Sequence, residues 1–158
     1  MVDRVDSLTR SRIMAAIKSR NTKPELLIRS MLHQRGFRFR LHVKDLPGKP
    51  DIVLPKYHSV IFIHGCFWHG HENCRLFKLP STRTEFWQEK FLKNRNNDIR
   101  AIDLLMSNNW RVCIIWECKI QASKKDLTQL ADVISDFIMG TKPFLELRES
   151  SDLIIKTD

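Results

Sequence analysis

The chain has 158 residues, of which 42% are hydrophobic, and its formal net charge is +9 with a sequence pI near 9.7. These values indicate one folded domain spanning 1–158 and exclude a disordered chain. The charge favours a polyanionic partner, with nucleic acid preferred over an anionic membrane. No apolar run approaches the roughly 18 residues of a spanning helix, and the N-terminus lacks the apolar segment of a signal peptide. We therefore expect a cytoplasmic protein whose cysteines are metal ligands or core thiols rather than disulfides.

Two helices are predicted in the N-terminal third of the chain. Residues 7–19 place basic side chains around a thin apolar stripe that includes Met14, and we expect this basic helix, within residues 1–20, to lie on DNA. A second helix begins at Thr22, with Glu25 completing a capping box, and ends near Gly36. Its predicted core face consists of Leu26, Leu27, Met31 and Leu32.

Three strands are predicted next. Residues 37–43 alternate apolar and polar side chains, as a half-buried strand does. Two β-rich runs, 51–54 and 59–64, are separated by a short polar segment that suits a hairpin. If Leu54 pairs near Ser59, Asp51 lies opposite Phe62 and beside the backbone of Ile63.

The C-terminal half is predicted to contain a long basic helix at 84–108, a strand at 110–118 and a last helix that 123–126 caps and Gly140 ends. The tail gives little signal beyond a strand at 153–155. The predicted inward face of the long helix is Phe86, Phe91, Ile99, Ile102 and Leu105. Strands flanked by helices indicate an α/β domain around one central mixed β-sheet.

A zinc site is predicted from the spacing Cys66-x4-His71-x2-Cys74, which needs one more soft ligand. Strand alternation places Cys113 among core residues, whereas Cys118 lies at the strand end, where a loop can meet it. We therefore predict Cys118 as the fourth ligand and Cys113 as a buried thiol. Four protein ligands with no open position form a structural zinc site. The alternative is a set of reduced, unliganded cysteines.

Three residues are candidates for catalysis. His69 lies in the loop between the metal ligands, which would fix its position as a general base requires; otherwise it is a spare ligand or a surface residue. His64 ends a strand and is either functional or an ordinary strand-end histidine. Asp51 opens a strand after a turn and can bind a hard cation, Mg²⁺ by default; the alternative is an ordinary turn aspartate.

Two further acids and three aromatic residues have both a structural and a functional interpretation. Glu25 belongs to a capping box, and Asp98 stands among basic residues where salt bridges are common. Phe67, Trp68 and Trp87 form either a small apolar core over the zinc or a wedge inserted between base pairs. The polar loop and its basic surroundings favour the wedge.

Seven segments carry a resemblance to a known family: 9–14, 21–25, 45–51, 60–71, 83–87, 109–112 and 116–118. Together they resemble the very short patch repair (Vsr) mismatch endonucleases over about residues 7–120, most specifically through the Cys-Phe-Trp-His block. The resemblance implies a restriction-endonuclease-like fold that nicks DNA 5′ to the thymine of a T·G mismatch, which arises when 5-methylcytosine deaminates.

The resemblance also implies partners. These are double-stranded DNA with a T·G mismatch and other mismatch-repair proteins, with no membrane. We expect a monomer that associates with the nucleoid. Two alternatives stay open: a nicking or restriction endonuclease without mismatch preference, and a zinc-stabilised DNA-binding module without catalysis.

Residue roles follow from the resemblance by position. Asp51 and the carbonyl of Ile63 would bind Mg²⁺, with His69 as the general base. The residues that would hold metal-bound waters are Glu25, His64 and Asp98. The structural zinc ligands would be Cys66, His71, Cys74 and Cys118. The intercalating side chains would be Phe67, Trp68 and Trp87, with Met14 entering from the opposite groove.

The third strand departs from the wider nuclease superfamily. Phe62-Ile63-His64 stands where those enzymes usually carry Glu-x-Lys. With one obligatory carboxylate, Asp51, the site must rely on His69 and on the charge of the metal to activate water.

Overall fold

A five-stranded mixed sheet organises the part of the chain that the computed structural model describes, residues 6–9, 12 and 21–149. Its elements in chain order are α1 (Lys23–Gln34), β1 (Arg40–Leu41), β2 (Ile52–Leu54), β3 (Ser59–His64), α2 (Thr84–Ser107), β4 (Arg111–Trp116), α3 (Glu117–Ala122), α4 (Thr128–Met139) and β5 (Phe144–Leu147). The predicted α/β class with helices flanking a mixed sheet is confirmed.

The strands follow one another across the sheet in the order β1-β2-β3-β4-β5. The pairs β1–β2 and β2–β3 are antiparallel, whereas β3–β4 and β4–β5 are parallel. Leu54 pairs with Ser59 and Ile52 with Ile61, so the predicted hairpin and its register are confirmed. Asp51 consequently lies beside the last residues of β3.

Both faces of the sheet are buried, and β4 shows this most clearly. Cys113 and Ile115 pack in one apolar cluster with α1 and α4, while Val112, Ile114 and Trp116 pack in a second cluster with α2. This alternation is the one predicted from the sequence. A parallel pair of strands covered on both faces is the usual arrangement in α/β domains.

The predicted inward faces of the two long helices were partly wrong. In α2, Phe86 is 43% exposed and Ile99 58% exposed, because they lie about 120° and about 100° around the helix from the middle of the buried stripe of Phe91 and Leu105, at about 100° per residue. In α1, Leu26 is 50% exposed for the same reason. The residues buried in their place are Trp87, Ala101 and Ile28.

The helix caps also differ from the predicted ones. The Thr22 hydroxyl accepts the Glu25 N–H as expected, but the Glu25 carboxylate accepts the N–H of Asn21 rather than that of Thr22. Ser123 ends α3 instead of capping α4. Asp126 accepts the Thr128 N–H at 2.9 Å and so satisfies one free donor at the start of α4.

Two predicted strands were too long, and one strand of the structure was not predicted. The strand at 37–43 is reduced to β1, and the strand at 110–118 ends at Trp116 because the chain turns directly into α3. The structure adds β5, whose alternation is weak because most of its side chains are buried.

Some expectations fall largely outside the described residues. Within the predicted basic helix, residues 7–9 and 12 are helical, whereas Met14 and the strand predicted at 153–155 lie outside the described ranges. Among the helices described, none has both the length and the apolar character needed to cross a membrane.

Arg111, the first residue of β4, joins three parts of the fold. Its guanidinium donates to the carbonyls of Phe137 and Ile138 at the end of α4, each at 2.6 Å, and to the Tyr57 carbonyl at 3.1 Å. Burial lowers the pKa of Arg111. The side chain therefore supplies donors to carbonyls in the last turn of α4, where the regular hydrogen bonds of the helix end.

We expect Arg111→Met to lower the free energy of unfolding by roughly 2–3 kcal/mol, because the part-buried carbonyls lose a charged donor. Chemical denaturation would measure this value. The control is Arg38→Met at an exposed position, which should change stability by less than about 0.5 kcal/mol. Equal effects of the two substitutions would contradict the proposed role of Arg111.

Candidate active site and Cys/His cluster

A cleft of about 600 Å³ lies where β3 ends and β2 begins. Antiparallel pairing brings these two strand ends together, α1 contributes its first turn, and α2 passes alongside. The cleft is lined by all six residues for which the sequence predicted a catalytic or magnesium-binding role: Glu25, Asp51, Ile63, His64, His69 and Asp98.

Asp51 is a half-buried carboxylate at the base of this cleft. Its Oδ2 accepts the N–H of Ile63 at 2.7 Å, which fixes the carboxylate against the end of β3. Burial and, to a smaller extent, the negative charge of Glu25 raise the pKa of Asp51 to about 6 against the lowering effect of the Ile63 hydrogen bond. The ionised carboxylate is thus costly unless a cation compensates its charge.

Glu25 is a buried acid that serves α1 as well as the cleft. Its Oε2 accepts the N–H of Asn21 at 3.1 Å and pairs with Arg29 at 3.0 Å. Glu25 therefore stabilises the first turn of the helix, and its carboxylate borders the cleft.

His69 and Asp98 form a direct pair. The distance from His69 Nδ1 to Asp98 Oδ2 is 2.6 Å, and both side chains are about three-quarters buried. Asp98 therefore pairs with a histidine rather than with the basic residues around it. If Nδ1 carries the proton that it donates to Asp98, then Nε2 is left as the basic nitrogen.

His64 packs flat against His69. The ring centroids are 3.9 Å apart with an interplanar angle of 8°. His64 is buried, and its Nδ1 has no hydrogen-bond partner among the described residues. Burial, followed by the neighbouring His69 and His71, lowers the pKa of His64 well below its usual value. The ring therefore stays neutral at physiological pH.

The four predicted zinc ligands meet beside this cleft. The ligand atoms of Cys66, His71, Cys74 and Cys118 all lie within 4.8 Å of one another. Cys118 contributes from the first turn of α3, where its N–H donates to Cys66 Sγ at 3.4 Å. Cys113 is buried among residues on the opposite face of the sheet.

The donor set fits a tetrahedral zinc ion. Cys118 Sγ lies 3.7 Å from His71 Nδ1. Typical Zn–S and Zn–N bond lengths at a tetrahedral angle place the two ligand atoms about 3.5 Å apart. Burial raises the pKa of the Cys66 and Cys118 thiols. Thiolates in this position need a cation, and three thiolates with one imidazole leave no open coordination position.

The three predicted intercalating rings also meet. Phe67 lies 5.2 Å from Trp68 and 5.3 Å from Trp87, measured between ring centroids. Phe67 and Trp68 are half-buried, whereas Trp87 is 9% exposed and packs against Phe91. The Lys90 ammonium lies 5.3 Å from the Trp68 ring and 5.4 Å from the Trp87 ring. The rings thus form a cluster with a cation at its edge.

Sequence reasoning missed two charged residues that line the cleft, Lys49 and Glu117. Glu117 accepts the N–H of Cys66 at 3.4 Å. A continuous strand over 110–118 would have placed Glu117 on the opposite face, but the turn into α3 redirects it towards the cleft. The sequence offered two signals for these residues. Glu117 directly precedes Cys118, a predicted metal ligand, and Lys49 lies two residues before Asp51.

The fold places the chain in a class before any close relative is considered. The catalytic domain of the homing endonuclease I-Bth0305I superposes with a TM-score of 0.50 at 20% identity, covering 76% of this chain and all of that domain. The architecture is restriction-endonuclease-like.

Sequence comparison then identifies the family. The profile of the DNA mismatch endonuclease Vsr matches residues 2–75. The DNA mismatch endonuclease Vsr of Escherichia coli K12 is 45% identical over 89% of this chain and 90% of that protein. The type II nicking enzyme V.XorIIP of Xanthomonas oryzae is 48% identical over 76% and 88%, and V.NmeAIP of Neisseria meningitidis is 41% identical over 87% and 100%. The chain belongs to the Vsr family of DNA endonucleases.

The raised pKa of Asp51 predicts a pH-dependent effect of Asp51→Asn. The ordinary value is 3.8 and the folded value is about 6, so the folded state loses stability as the pH rises from about 4 to about 6, and the loss is complete above that range. Without added Mg²⁺, the variant should unfold at a higher temperature than the parent at pH 8. At pH 8 the free energy of unfolding of the variant should exceed that of the parent by on the order of 2–3 kcal/mol, and this difference should vanish near pH 4.

Thermal unfolding between pH 4 and 8 would measure this difference. Asp45→Asn, at an exposed loop position, is the matched control and should show no such trend. A difference that does not change with pH would contradict the burial cost assigned to Asp51.

Proposed function

We propose that this protein nicks one DNA strand 5′ to the thymine of a T·G mismatch left by deamination of 5-methylcytosine. The observation that carries the proposal is the His69–Asp98 pair, 2.6 Å apart, in the same cleft as the buried carboxylate of Asp51. A base, its orienting acid and a cation-binding carboxylate are the groups that hydrolysis of a phosphodiester needs.

Asp51 and the carbonyl of Ile63 would hold a magnesium ion. The fit rests on the charge of the site. A divalent cation would offset the free-energy cost of burying the ionised Asp51 carboxylate and its repulsion with Glu25. When bound, the ion supplies charge that polarises the scissile phosphate and stabilises the departing oxyanion.

His69 would take the proton from the attacking water. With the proton on Nδ1, Asp98 would accept the Nδ1–H and so keep Nε2 free to act as the base, and its charge would stabilise the imidazolium that forms. Neutral His64 packs on the same ring without adding positive charge. Glu25, His64 and Asp98 also offer acceptors that would orient waters in the cleft.

Zinc would have a structural role in this scheme. Bound by Cys66, His71, Cys74 and Cys118, it would hold the loop that carries His69, together with the start of α3. A base that is fixed by ligands on both sides loses little entropy when it meets its substrate.

The DNA would be bound by charge and opened by aromatic side chains. A net charge of +9 supplies affinity for phosphates without sequence preference. We propose that Phe67, Trp68 and Trp87 unstack the step beside the mismatch, with Met14 inserted from the opposite groove. Unstacking costs a few kcal/mol and less at a mismatch, so the deformation favours mismatched sites. A monomer would suffice, with other mismatch-repair proteins as candidate partners at the nucleoid.

A second candidate is sequence-specific nicking without mismatch preference. It is favoured by relatives that carry the name type II nicking enzyme. The two functions differ only in the duplex that is cut.

Nicking assays on matched T·G and T·A duplexes would decide between them. We expect Mg²⁺-dependent nicking of the T·G duplex, and at least 100-fold less after His69→Ala or Asp51→Ala, because each removes a group that acts in the transition state. DNA affinity should stay within a few-fold, and His33→Ala, on an exposed helix position, should keep full activity.

Equal nicking of both duplexes would support the second candidate and exclude mismatch specificity. No nicking of either duplex with Mg²⁺ present would leave a DNA-binding module without catalysis.

Cys118→Ala tests the Cys/His cluster. We expect one zinc per chain in the parent protein and loss of that zinc in the variant, with a large fall in thermal stability, because a structural zinc site contributes to folding free energy. Cys113→Ala is the matched control, since it removes a buried thiol from the opposite face. It should keep the zinc. Retention of zinc by Cys118→Ala, measured by elemental analysis, would refute the ligand set.

A further inference from the structure

The indole ring of Trp116 contacts all three histidines of residues 64–71, the segment that connects the cleft to the Cys/His cluster. Trp116 is buried at the end of β4, in register with His64. Its ring stacks on His71 at 3.9 Å and 6°. It meets His64 at 5.1 Å and His69 at 6.1 Å with nearly perpendicular planes. The indole therefore touches a ligand of the cluster and both stacked rings of the cleft.

The orientation of this indole is fixed by a hydrogen bond from β5. Trp116 Nε1–H donates to Glu146 Oε1 at 2.8 Å. Glu146 pairs in register with Ile114, two residues before Trp116, so both side chains lie on the same face of the sheet. A flipped indole would lose this donor–acceptor pair, and hydrogen bonds to carboxylates are among the stronger ones.

We propose that Trp116 and Glu146 form a positioning pair that sets the orientation of His71 in the cluster and of His64 and His69 in the cleft. This proposal rests on the function proposed above. Groups behind a ligand or a catalytic side chain fix its geometry, and small misplacements of a base cost much of its efficiency. Glu146 fixes the indole, and the indole limits how each histidine ring can rotate.

A second tryptophan of the same strand region provides a comparison within the chain. Trp110, one residue before β4, stacks on His58 at 4.1 Å and 11°. The geometry is nearly that of the Trp116–His71 stack, yet neither Trp110 nor His58 lines the cleft or belongs to the cluster. Trp110→Phe therefore reports what the loss of an indole costs through packing alone.

The test compares Trp116→Phe, Glu146→Ala, Glu146→Gln and Trp110→Phe in the zinc-loaded full chain. The measurements are the single-turnover nicking rate on saturating T·G duplex, the duplex Kd, and the rate of zinc transfer to a chelator. Trp116→Phe and Glu146→Ala should lower the nicking rate by about 10- to 100-fold and speed zinc transfer several-fold, with Kd nearly unchanged.

The other two variants separate positioning from packing. Glu146→Gln should recover most of the rate because the amide oxygen still accepts the indole N–H. Trp110→Phe should match the parent protein in all three measurements. If Trp116→Phe and Trp110→Phe behave alike, or if Glu146→Ala leaves both rates unchanged, the proposal is overturned.

Two controls keep the experiment decisive. Should Trp116→Phe not fold, Glu146→Ala tests the same hydrogen bond without removing a core ring. Should the parent protein nick neither duplex, the proposed function fails, while the zinc-transfer rates still decide whether the pair orients His71.

Discussion

The parallel pairing of β3 with β4 is the constraint on which the rest of the site depends. His64 and Trp116 are the last paired residues, so the two strands end side by side. The segment after β3 begins with Gly65 and Cys66, and the segment after β4 begins with Glu117 and Cys118. Two cysteines far apart in the chain thus start from the same edge of the sheet, the edge at which ligands usually bind in α/β folds.

At this edge of the sheet, Asp51 and His69 have different surroundings. Asp51 is held by the backbone of β3 in a site where its negative charge is costly, whereas His69 lies in a loop between the ligands of the Cys/His cluster. In the proposed function, Asp51 would need a cation to be stable in its ionised form, and His69 would need a rigid loop to act as the base. The fold meets both needs with neighbouring but separate devices.

The sequence was sufficient for the hairpin, the strand alternation and the grouping of Cys66, His71, Cys74 and Cys118, since each depends on local spacing or on period-2 patterns. It was insufficient where the chain changes direction. The turn from β4 into α3 hid Glu117, and a weak apolar pattern hid β5. The His69–Asp98 pair joins a loop to a helix 29 residues later, and no local pattern reports such a contact.

The helix α2 connects the aromatic cluster to His69, which is the base in the proposed function. It carries Trp87 and Lys90 near its start and Asp98 eleven residues after Trp87, a separation of about 16 Å along the axis. A helix resists stretching, so in the proposed function the number of residues between these positions would set the distance between the unstacked base step and the cleaved bond. Inserting one residue there would also turn Asp98 by about 100° away from His69. In the proposed function, the length of this helix would therefore help to set the position of the nick relative to the mismatch.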